Sequence, residues 1–173
     1  MKVPLSELER QYQVRDVPGN GDCLFGAVAA ALAHLRGHTI DDHKLERLSF
    51  ILRRRSTRLL CRKQGTLANT GKSGRRILRE HLGPHRSIPA YCRRLARTRE
   101  WGDEPSIVAL SHLIRRCVVI YDYSSGDHAL RLQYGETRRR CVNLLRINAN
   151  HFCALLHKQQ AQQAQQAQQA ETL

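Results

Sequence analysis

Two residues far apart in the chain have the side chains that nucleophilic catalysis requires: a thiol at Cys23 and an imidazole at His151. Cys23 follows the loop Gly19–Asp22 and precedes an alanine-rich apolar run, so we expect it to open a buried helix. The helix dipole and the free N–H groups of a first helical turn favour an anion, which predicts a lowered thiol pKa. Taken alone, Cys23 has an alternative interpretation as an inert buried cysteine.

His151 follows a predicted loop, Asn148–Asn150, and precedes an apolar strand, Phe152–Leu156. A cysteine nucleophile needs such a partner, because the imidazole takes the thiol proton and returns it to the leaving amine. A thiol at a helix start and a histidine far along the chain therefore predict thiol-dependent hydrolysis.

Three blocks of the chain resemble the ovarian tumour (OTU) family of cysteine proteases. Asn20–Phe25 resembles the family's Asp-Gly-Asn-Cys-Leu-Phe motif, with the two Asx identities exchanged. Trp101–Glu104, an apolar helix and a strand ending at Tyr121 resemble the family's Trp-Gly block. His151–Leu155 resembles its histidine block. The blocks lie in the family's order and the resemblance covers about residues 10–157.

The resemblance implies an α+β fold in which helices flank a small central sheet. It also implies a deubiquitinase, which hydrolyses isopeptide bonds after the C-terminal Gly-Gly of ubiquitin or a ubiquitin-like modifier, with no cofactor and no metal. Cys23 is the implied nucleophile and His151 the implied general base. Gly21 and Asp22, with Cys23, are expected to offer backbone N–H groups to the oxyanion.

The group that orients the imidazole is where the chain departs from the family pattern. Two positions after the histidine the family has Asn or Asp, whereas this chain has Cys153, a poor acceptor. Three positions before the nucleophile the family has Asp, whereas this chain has Asn20. Because asparagine can orient a catalytic histidine, we predict Asn20 in this role, with Asn148 and Asn150 as alternatives.

By the same resemblance, Trp101, Gly102 and Asp103 line the substrate channel or support the histidine. The alternative for Trp101 is core packing. The tail of ubiquitin is basic, so acidic side chains would suit the channel, and Asp103, Glu104 and Asp127 are the local candidates.

The charge of the chain is concentrated in one segment. The net charge is +14, and residues 53–99, here called the basic block, carry 15 Lys and Arg side chains against one acid, Glu80. Such a block predicts an anionic partner, which could be nucleic acid, a membrane surface or an acidic protein; the alternative is a solvated helical face. A second function therefore stays open: a catalytically weak or inactive OTU fold that serves as a basic protein- or nucleic-acid-binding module.

The length of 173 residues suits one domain, which we place at residues 1–157, followed by a Gln/Ala-rich low-complexity tail at 158–173. The six cysteines show no Cys-x-x-Cys pair, and the N-terminus shows no apolar signal region. We therefore predict free thiols in a reducing, intracellular setting, the cytoplasm or nucleus, or a host cell if the source is a virus or bacterium. A disulfide-bonded secreted domain is the alternative. We expect a monomer without a transmembrane segment.

The element pattern is helical in the first two-thirds of the chain and stranded in the last third, which supports the α+β class. We predict a short helix within residues 2–12, a helix from Cys23 that stops at Gly37, and a helix that runs from an N-cap region at 39–42 towards Cys61. Strands are predicted at 117–122, 129–133, 142–147 and 152–156.

Overall fold

The structure is a computed structural model, and it describes residues 1–62, 65–67, 69–97, 99–123, 126–137 and 139–158. Apart from Lys158, the predicted Gln/Ala-rich tail lies outside the described residues, so the division of the chain at residue 157 stays a prediction.

The described ranges contain six helices and eight strands. In chain order they are β1 (Lys2–Pro4), α1 (Leu5–Gln11), β2 (Tyr12–Arg15), α2 (Cys23–Leu35), α3 (Asp42–Cys61), β3 (Thr66–Leu67), β4 (Lys72–Ser73), α4 (Gly74–Leu82), α5 (Ile88–Leu95), α6 (Glu104–Ile114), β5 (Val118–Tyr123), β6 (His128–Tyr134), β7 (Val142–Ile147) and β8 (His151–His157). Among the helices in these ranges, none combines the length and the apolar character needed to cross a membrane.

Six strands form one sheet in the order β1-β6-β5-β7-β8-β2, and β3 and β4 form a separate two-stranded ribbon. Within the large sheet, β5 and β7 are parallel and every other neighbouring pair is antiparallel. The α+β prediction, a small central sheet flanked by helices, is confirmed.

Helix α2 is buried along almost its whole length because its sequence is apolar on every side. Phe25 and Val28 are fully buried and belong to the same core as Val118, Ile120 and Leu144 of the sheet. The opposite face of the sheet packs on α1, where Leu8 joins Val119 and Tyr121. Apolar burial therefore fixes the start of α2 against one face of the sheet.

The predicted helix from Cys23 ends close to where the sequence places its end. It stops at Leu35, and Gly37 adopts a positive φ of 73° while its N–H donates to the His34 carbonyl. Helix α3 begins as predicted, with the Asp41 carboxylate accepting the N–H of Lys44 at 2.8 Å.

Strands β1 and β2 are absent from the sequence-based prediction, which placed one short helix within residues 2–12. The helix exists as α1, but short strands flank it on both sides. These strands have only 3 and 4 residues and form the two edges of the sheet, so too few residues are available for a period-two pattern. The pairing of β2 with β8 has direct consequences for the site described below.

The prediction that all six cysteines are free thiols is wrong for four of them. Cys61, which ends α3, is bonded to Cys92 of α5, and Cys117 before β5 is bonded to Cys141 before β7. Sequence spacing does not reveal these pairs because neighbouring elements, not neighbouring residues, bring the sulfur atoms together. Cys23 and Cys153 are the free cysteines. The intracellular location stays a prediction.

Candidate active site

Cys23 is the first residue of α2 and is only 1% exposed. The helix opens there because Asp22 has a non-helical ψ of 1° while its carbonyl accepts the N–H of Gly26 at 2.9 Å. The Cys23 thiol lies 3.7 Å from the carbonyl oxygen of Asn150, to which it donates. The predicted nucleophile thus faces the chain segment that leads into His151.

The pKa of the Cys23 thiol is raised above its ordinary value, mainly because burial disfavours the thiolate. Hydrogen bonds from the backbone N–H groups of Phe152 and Leu24 act in the opposite direction but are the smaller effect. The prediction of a lowered thiol pKa, made from the helix terminus alone, is therefore wrong for this resting structure. The sequence could not weigh desolvation against the helix dipole, because burial depends on the fold.

His151 begins β8, and its Nε2 atom lies 2.7 Å from Oδ1 of Asp16. Asp16 directly follows β2, which pairs with β8 so that Arg15 stands opposite Ala154. That register places the carboxylate beside the histidine. The hydrogen bond to His151 is the main reason why the pKa of Asp16 is lowered. Asp16 therefore has the geometry of the group that orients the imidazole.

Asn20, predicted for that role, is engaged elsewhere. Its Oδ1 atom accepts the backbone N–H of Asp22 at 3.2 Å, a local turn that shapes the loop before Cys23. Asn148 and Asn150, the two alternatives, have other positions and contacts. Asn148 has a positive φ of 52° in the exposed turn between β7 and β8, and Asn150 offers its backbone carbonyl to Cys23. The structure thus replaces Asn20 with Asp16 as the partner of His151.

Cys153 lies two residues after His151 on the same strand and is 2% exposed. Its thiol is 3.4 Å from the same Asp16 Oδ1 atom. Burial, followed by the hydrogen bond to the Asp16 carboxylate, raises the pKa of the Cys153 thiol to about 12. Cys153 is therefore a neutral donor that helps to hold the Asp16 carboxylate against the imidazole.

The loop that carries Gly21 and Asp22 is anchored from α3 by a buried arginine. Arg53 is fully buried; its Nε atom donates to Oδ1 of Asp22 at 2.5 Å, and its guanidinium also donates to the carbonyls of Gly21 and Leu95 at 2.9 and 3.2 Å. A third carbonyl, that of Glu100, accepts from the same guanidinium. One side chain thus links the nucleophile loop to the segment before α6.

Sequence reasoning counted Arg53 in the basic block and missed this role. The hydrophobic pattern gave no signal for it, because the buried stripe of α3 that contains Arg53 is mostly polar and includes Ser49, Ser56 and Thr57. A charged residue within a buried helical stripe needs an opposite charge, here the partly buried Asp22.

Gly21 has a positive φ of 88°, and a Cβ atom there would lie 2.1 Å from the backbone oxygen of Arg99. Only glycine permits this close approach of two backbone segments. The Asp22 carboxylate extends the same contact, because its Oδ2 atom accepts the N–H of Arg99 at 3.2 Å. The predicted oxyanion loop is therefore held from both sides. The N–H of Asp22 is used by Asn20, and the oxyanion role of the loop stays a prediction.

A cleft of about 820 Å³ opens beside Cys23. Its wall combines loop residues before α2 with exposed side chains from the first turns of α3. The lining residues include Val17, Pro18, Asn20, Cys23, Asp42, Glu46, Phe50 and Arg99. The nucleophile thus borders a space large enough for an extended peptide segment.

Comparison with known protein families assigns this arrangement. The family described as OTU-like cysteine protease matches residues 18–155 of the chain. The chain belongs to the OTU family. As an OTU protein it is a cysteine protease. Asp16, the partner of His151, lies two residues before the matched segment.

Individual proteins agree with this assignment. The OTU chain is 26% identical over 174 residues to ovarian tumour domain-containing deubiquitinating enzyme 3 of Arabidopsis thaliana, covering 87% of this chain and 70% of that protein. It is similar in fold to the viral OTU domain protease of Taggert virus, with a TM-score of 0.66 at 16% identity over 91% of this chain and 86% of that one. The Hazara virus OTU bound to ubiquitin gives a TM-score of 0.58 at 19% identity, over 86% and 82% of the two chains.

The Trp-Gly block of this OTU chain divides into three different environments. Trp101 is 48% exposed, so the alternative of core packing is wrong. Gly102 lies against the nucleophile helix, since a Cβ atom there would be 2.6 Å from Leu24 Cδ2. Asp103 accepts the Tyr91 hydroxyl at 2.5 Å and lies 3.3 Å from His81 Nε2. The substrate-channel role of these three residues stays a prediction.

The basic block is not one uniform surface. Arg53 is buried, Lys72 and Arg76 form ion pairs with Glu80, and Arg94 lies near Glu100. Exposed ion pairs of this kind are weak. Basic side chains outnumber acidic ones in this block, so the surface of α3, α4 and α5 stays net positive. Nucleic acid or acidic protein as a partner of this surface stays a prediction.

Proposed function

We propose that this OTU protein is a deubiquitinase that hydrolyses the isopeptide bond after the C-terminal Gly-Gly of ubiquitin or a ubiquitin-like modifier. In the proposed reaction Cys23 is the nucleophile, His151 the general base and Asp16 the residue that orients the base. The observation that carries the proposal is the 2.7 Å contact between His151 Nε2 and Asp16 Oδ1. Asp16 thereby supplies a carboxylate, which this chain lacks at Asn20 and Cys153, the two positions where the family pattern has an acidic or amide residue.

The first step is proton transfer from Cys23 to His151. Because Asp16 holds Nε2, the nitrogen left to accept the thiol proton is Nδ1. In the resting site the thiol donates instead to the Asn150 carbonyl. Catalytic hydrogen bonds are often long in unliganded sites and tighten when substrate binds, so the transfer is proposed to follow substrate entry.

The thiolate then attacks the isopeptide carbonyl, and the C–N bond breaks as Nδ1–H protonates the leaving lysine amine. The product is a thioester between Cys23 and the modifier. Water, deprotonated by the same imidazole, hydrolyses the thioester and restores the thiol. Asp16 stabilises the imidazolium that forms in both halves of the reaction.

The cleft beside Cys23 suits the basic tail of ubiquitin. Two acidic side chains of α3, Asp42 and Glu46, line it and are exposed, beside the exposed basic side chains Arg47 and Arg99. Asp103, Glu104 and Asp127, the acidic residues proposed from the sequence, do not line this cleft. Asp42 and Glu46 would pair with basic residues of the tail and orient it in the cleft.

The related proteins support the same substrate class. The Arabidopsis relative is described as a deubiquitinating enzyme. The Hazara virus OTU was solved bound to ubiquitin, and so was an OTU deubiquitinase of Wolbachia pipientis wMel, which has a TM-score of 0.60 with this chain at 15% identity over 87% of it.

The decisive experiment is covalent capture by ubiquitin that carries a thiol-reactive group at its C-terminus. We expect an adduct of one ubiquitin per chain with the wild-type protein and with Cys153→Ser, and none with Cys23→Ala. His151→Ala and Asp16→Ala should form the adduct more slowly. A folded wild-type protein that forms no adduct with ubiquitin, and none with ubiquitin-like modifiers, would contradict the proposal and favour the basic binding module, which a salt-dependent RNA-binding assay would then test.

A further inference from the structure

Cys153, the residue at which the chain departs from the family pattern, brings a third ligand atom to the His151–Asp16 pair. One ligand atom from each of these three residues lies within 4.8 Å of the other two. The Cys153 Sγ atom is 3.4 Å from Asp16 Oδ1, and His151 Nε2 is 2.7 Å from the same oxygen. We propose that these three residues bind a Zn²⁺ ion and that zinc bound there arrests the enzyme.

The donor set is chemically suited to zinc. Thiolate, imidazole and carboxylate are the three protein ligands that Zn²⁺ uses, and three of them with a water molecule complete a tetrahedral site. A thiolate also discriminates against Mg²⁺ and Ca²⁺, which prefer oxygen ligands. With the usual family residue, Asn or Asp, in place of Cys153 the thiolate would be missing.

Two of the donor separations can be compared with those around a tetrahedral ion. Bond lengths of about 2.0 Å to nitrogen and oxygen and about 2.3 Å to sulfur put the donor atoms about 3.3–3.6 Å apart. The Sγ–Oδ1 separation of 3.4 Å already fits. The Nε2–Oδ1 separation of 2.7 Å must widen, and the Asp16 side chain, 78% exposed, has room to move.

Sheet register, rather than a loop, places the ligands. His151 and Cys153 are two residues apart on β8 and therefore point to the same face of the sheet. Strand β8 is held on both sides, with Leu145 of β7 opposite Cys153 and Arg15 of β2 opposite Ala154. Asp16 follows β2 and is exposed, so it offers zinc an entry from solvent. Sequence spacing indicates no metal site because Asp16 is 135 positions from His151.

Binding of zinc has a defined proton balance. The Cys153 thiol releases one proton to solvent as the S–Zn bond forms. The Nε2 lone pair of a neutral imidazole binds zinc, so the single ring proton must be on Nδ1. In the proposed catalytic step Nδ1 is the atom that accepts the Cys23 proton, and in the zinc form it is already protonated. The proposed inhibition by zinc therefore rests on the proposed function, whereas the binding of zinc to the three residues does not.

The binding is tested with Co²⁺ in place of Zn²⁺, in the Cys23→Ala protein. Cys23 and Cys153 are the free cysteines, so this variant leaves Cys153 as the available thiol. We expect one Co²⁺ per chain, a near-ultraviolet thiolate-to-cobalt charge-transfer band, and loss of that band when Zn²⁺ displaces the cobalt.

Three further substitutions in the Cys23→Ala background identify the ligands. Cys153→Ser should abolish the band, and Asp16→Asn should weaken Co²⁺ binding by about 100-fold or more. His128→Gln changes an exposed histidine on β6 and should leave the band unchanged. Melting temperatures verify that each variant is folded. No band in the Cys23→Ala protein, or a band that survives Cys153→Ser, would overturn the site.

The arrest is tested on the protein with Cys23 intact. Zn²⁺ should stop turnover of a fluorogenic ubiquitin substrate, and a chelator should restore it. The turnover rate of the Cys153→Asn variant should be the same with this Zn²⁺ concentration as without zinc. If wild type and Cys153→Asn are inhibited equally, zinc acts at Cys23 and the proposed arrest is wrong. If saturating zinc leaves wild-type turnover unchanged, the arrest is also wrong. A protein without turnover would refute the proposed function, while the cobalt result would still decide the site.

Discussion

Asp16 and His151 are separated by 135 positions in the chain, yet Oδ1 of Asp16 lies 2.7 Å from Nε2 of His151. The contact exists because β2, which ends at Arg15, pairs with β8, which starts at His151. A carboxylate is thereby brought to the imidazole although neither family position in the sequence supplies one. The Cys153 thiol donates to the same oxygen and supports the arrangement.

Replacing Asp16 by Asn should lower kcat/KM for a fluorogenic ubiquitin substrate by about 100-fold, within the range that a positioned acid–base group contributes. The amide cannot stabilise the imidazolium as the carboxylate does. Asn20→Ala is the matched comparison, because Asn20 was the candidate from sequence and its Oδ1 atom accepts a hydrogen bond from its own loop. This variant should lose less than about tenfold in kcat/KM. A larger loss for Asn20→Ala than for Asp16→Asn would return the orienting role to Asn20.

Arg53→Met should destabilise the protein by about 3–5 kcal/mol, because it leaves the Asp22 carboxylate without its partner and removes the donors to three carbonyls. Arg53→Lys should recover only part of this loss, since an ammonium cannot reproduce the fork of donors. Urea unfolding measures the effect.

The double variant Arg53→Met/Asp22→Asn serves as the control for charge. Removing both ionic groups should be less damaging than Arg53→Met alone, since no partly buried carboxylate is left without its cation. Equal destabilisation by the single and the double variant would show that the guanidinium acts through the carbonyls and its packing on Phe25 rather than through Asp22.

The sequence predicted those parts of the site that depend on local pattern. Cys23 at the start of α2 and His151 at the start of β8 follow from an alanine-rich run and an apolar strand, both readable within about ten residues. Asp16 was missed because its role depends on the pairing of a four-residue edge strand with a strand at the other end of the chain. Arg53 was missed because composition does not distinguish a buried arginine from an exposed one.

Gly21→Ala should reduce both stability and activity, whereas Gly37→Ala should reduce stability alone. Both glycines have positive φ, at 88° and 73°, so alanine adds about 1–2 kcal/mol of backbone strain at either position. Only at Gly21 would the new Cβ atom also meet the backbone of Arg99, at 2.1 Å, and displace the nucleophile loop. Thermal unfolding and kcat/KM, measured on both variants, test this. An active Gly21→Ala protein would show that the loop tolerates the shift.

The two disulfides should leave two titratable thiols per chain in protein that is unfolded without reductant, and six after reduction. Reduction should also lower the unfolding midpoint. The loops that the bonds close span 31 and 24 residues, and the chain-entropy estimate for each is about 3–4 kcal/mol. Cys61→Ser/Cys92→Ser should lose one of these contributions. Six thiols before reduction would contradict the pairing and support the free-thiol prediction made from the sequence.

Alkylation of Cys23 by iodoacetamide should accelerate with pH by about tenfold per unit from pH 7 towards 9, because only the thiolate reacts and its fraction rises tenfold per unit below the pKa. The sign follows from burial, which raises the pKa of the Cys23 thiol above its ordinary value and disfavours the thiolate at neutral pH. Mass spectrometry of the Cys23 peptide measures the rate, and the Cys153 peptide, whose thiol has a pKa of about 12, should react more slowly throughout. A rate that is constant between pH 6 and 8 would instead indicate a preformed thiolate–imidazolium pair, and the helix terminus would then outweigh desolvation as the sequence first suggested.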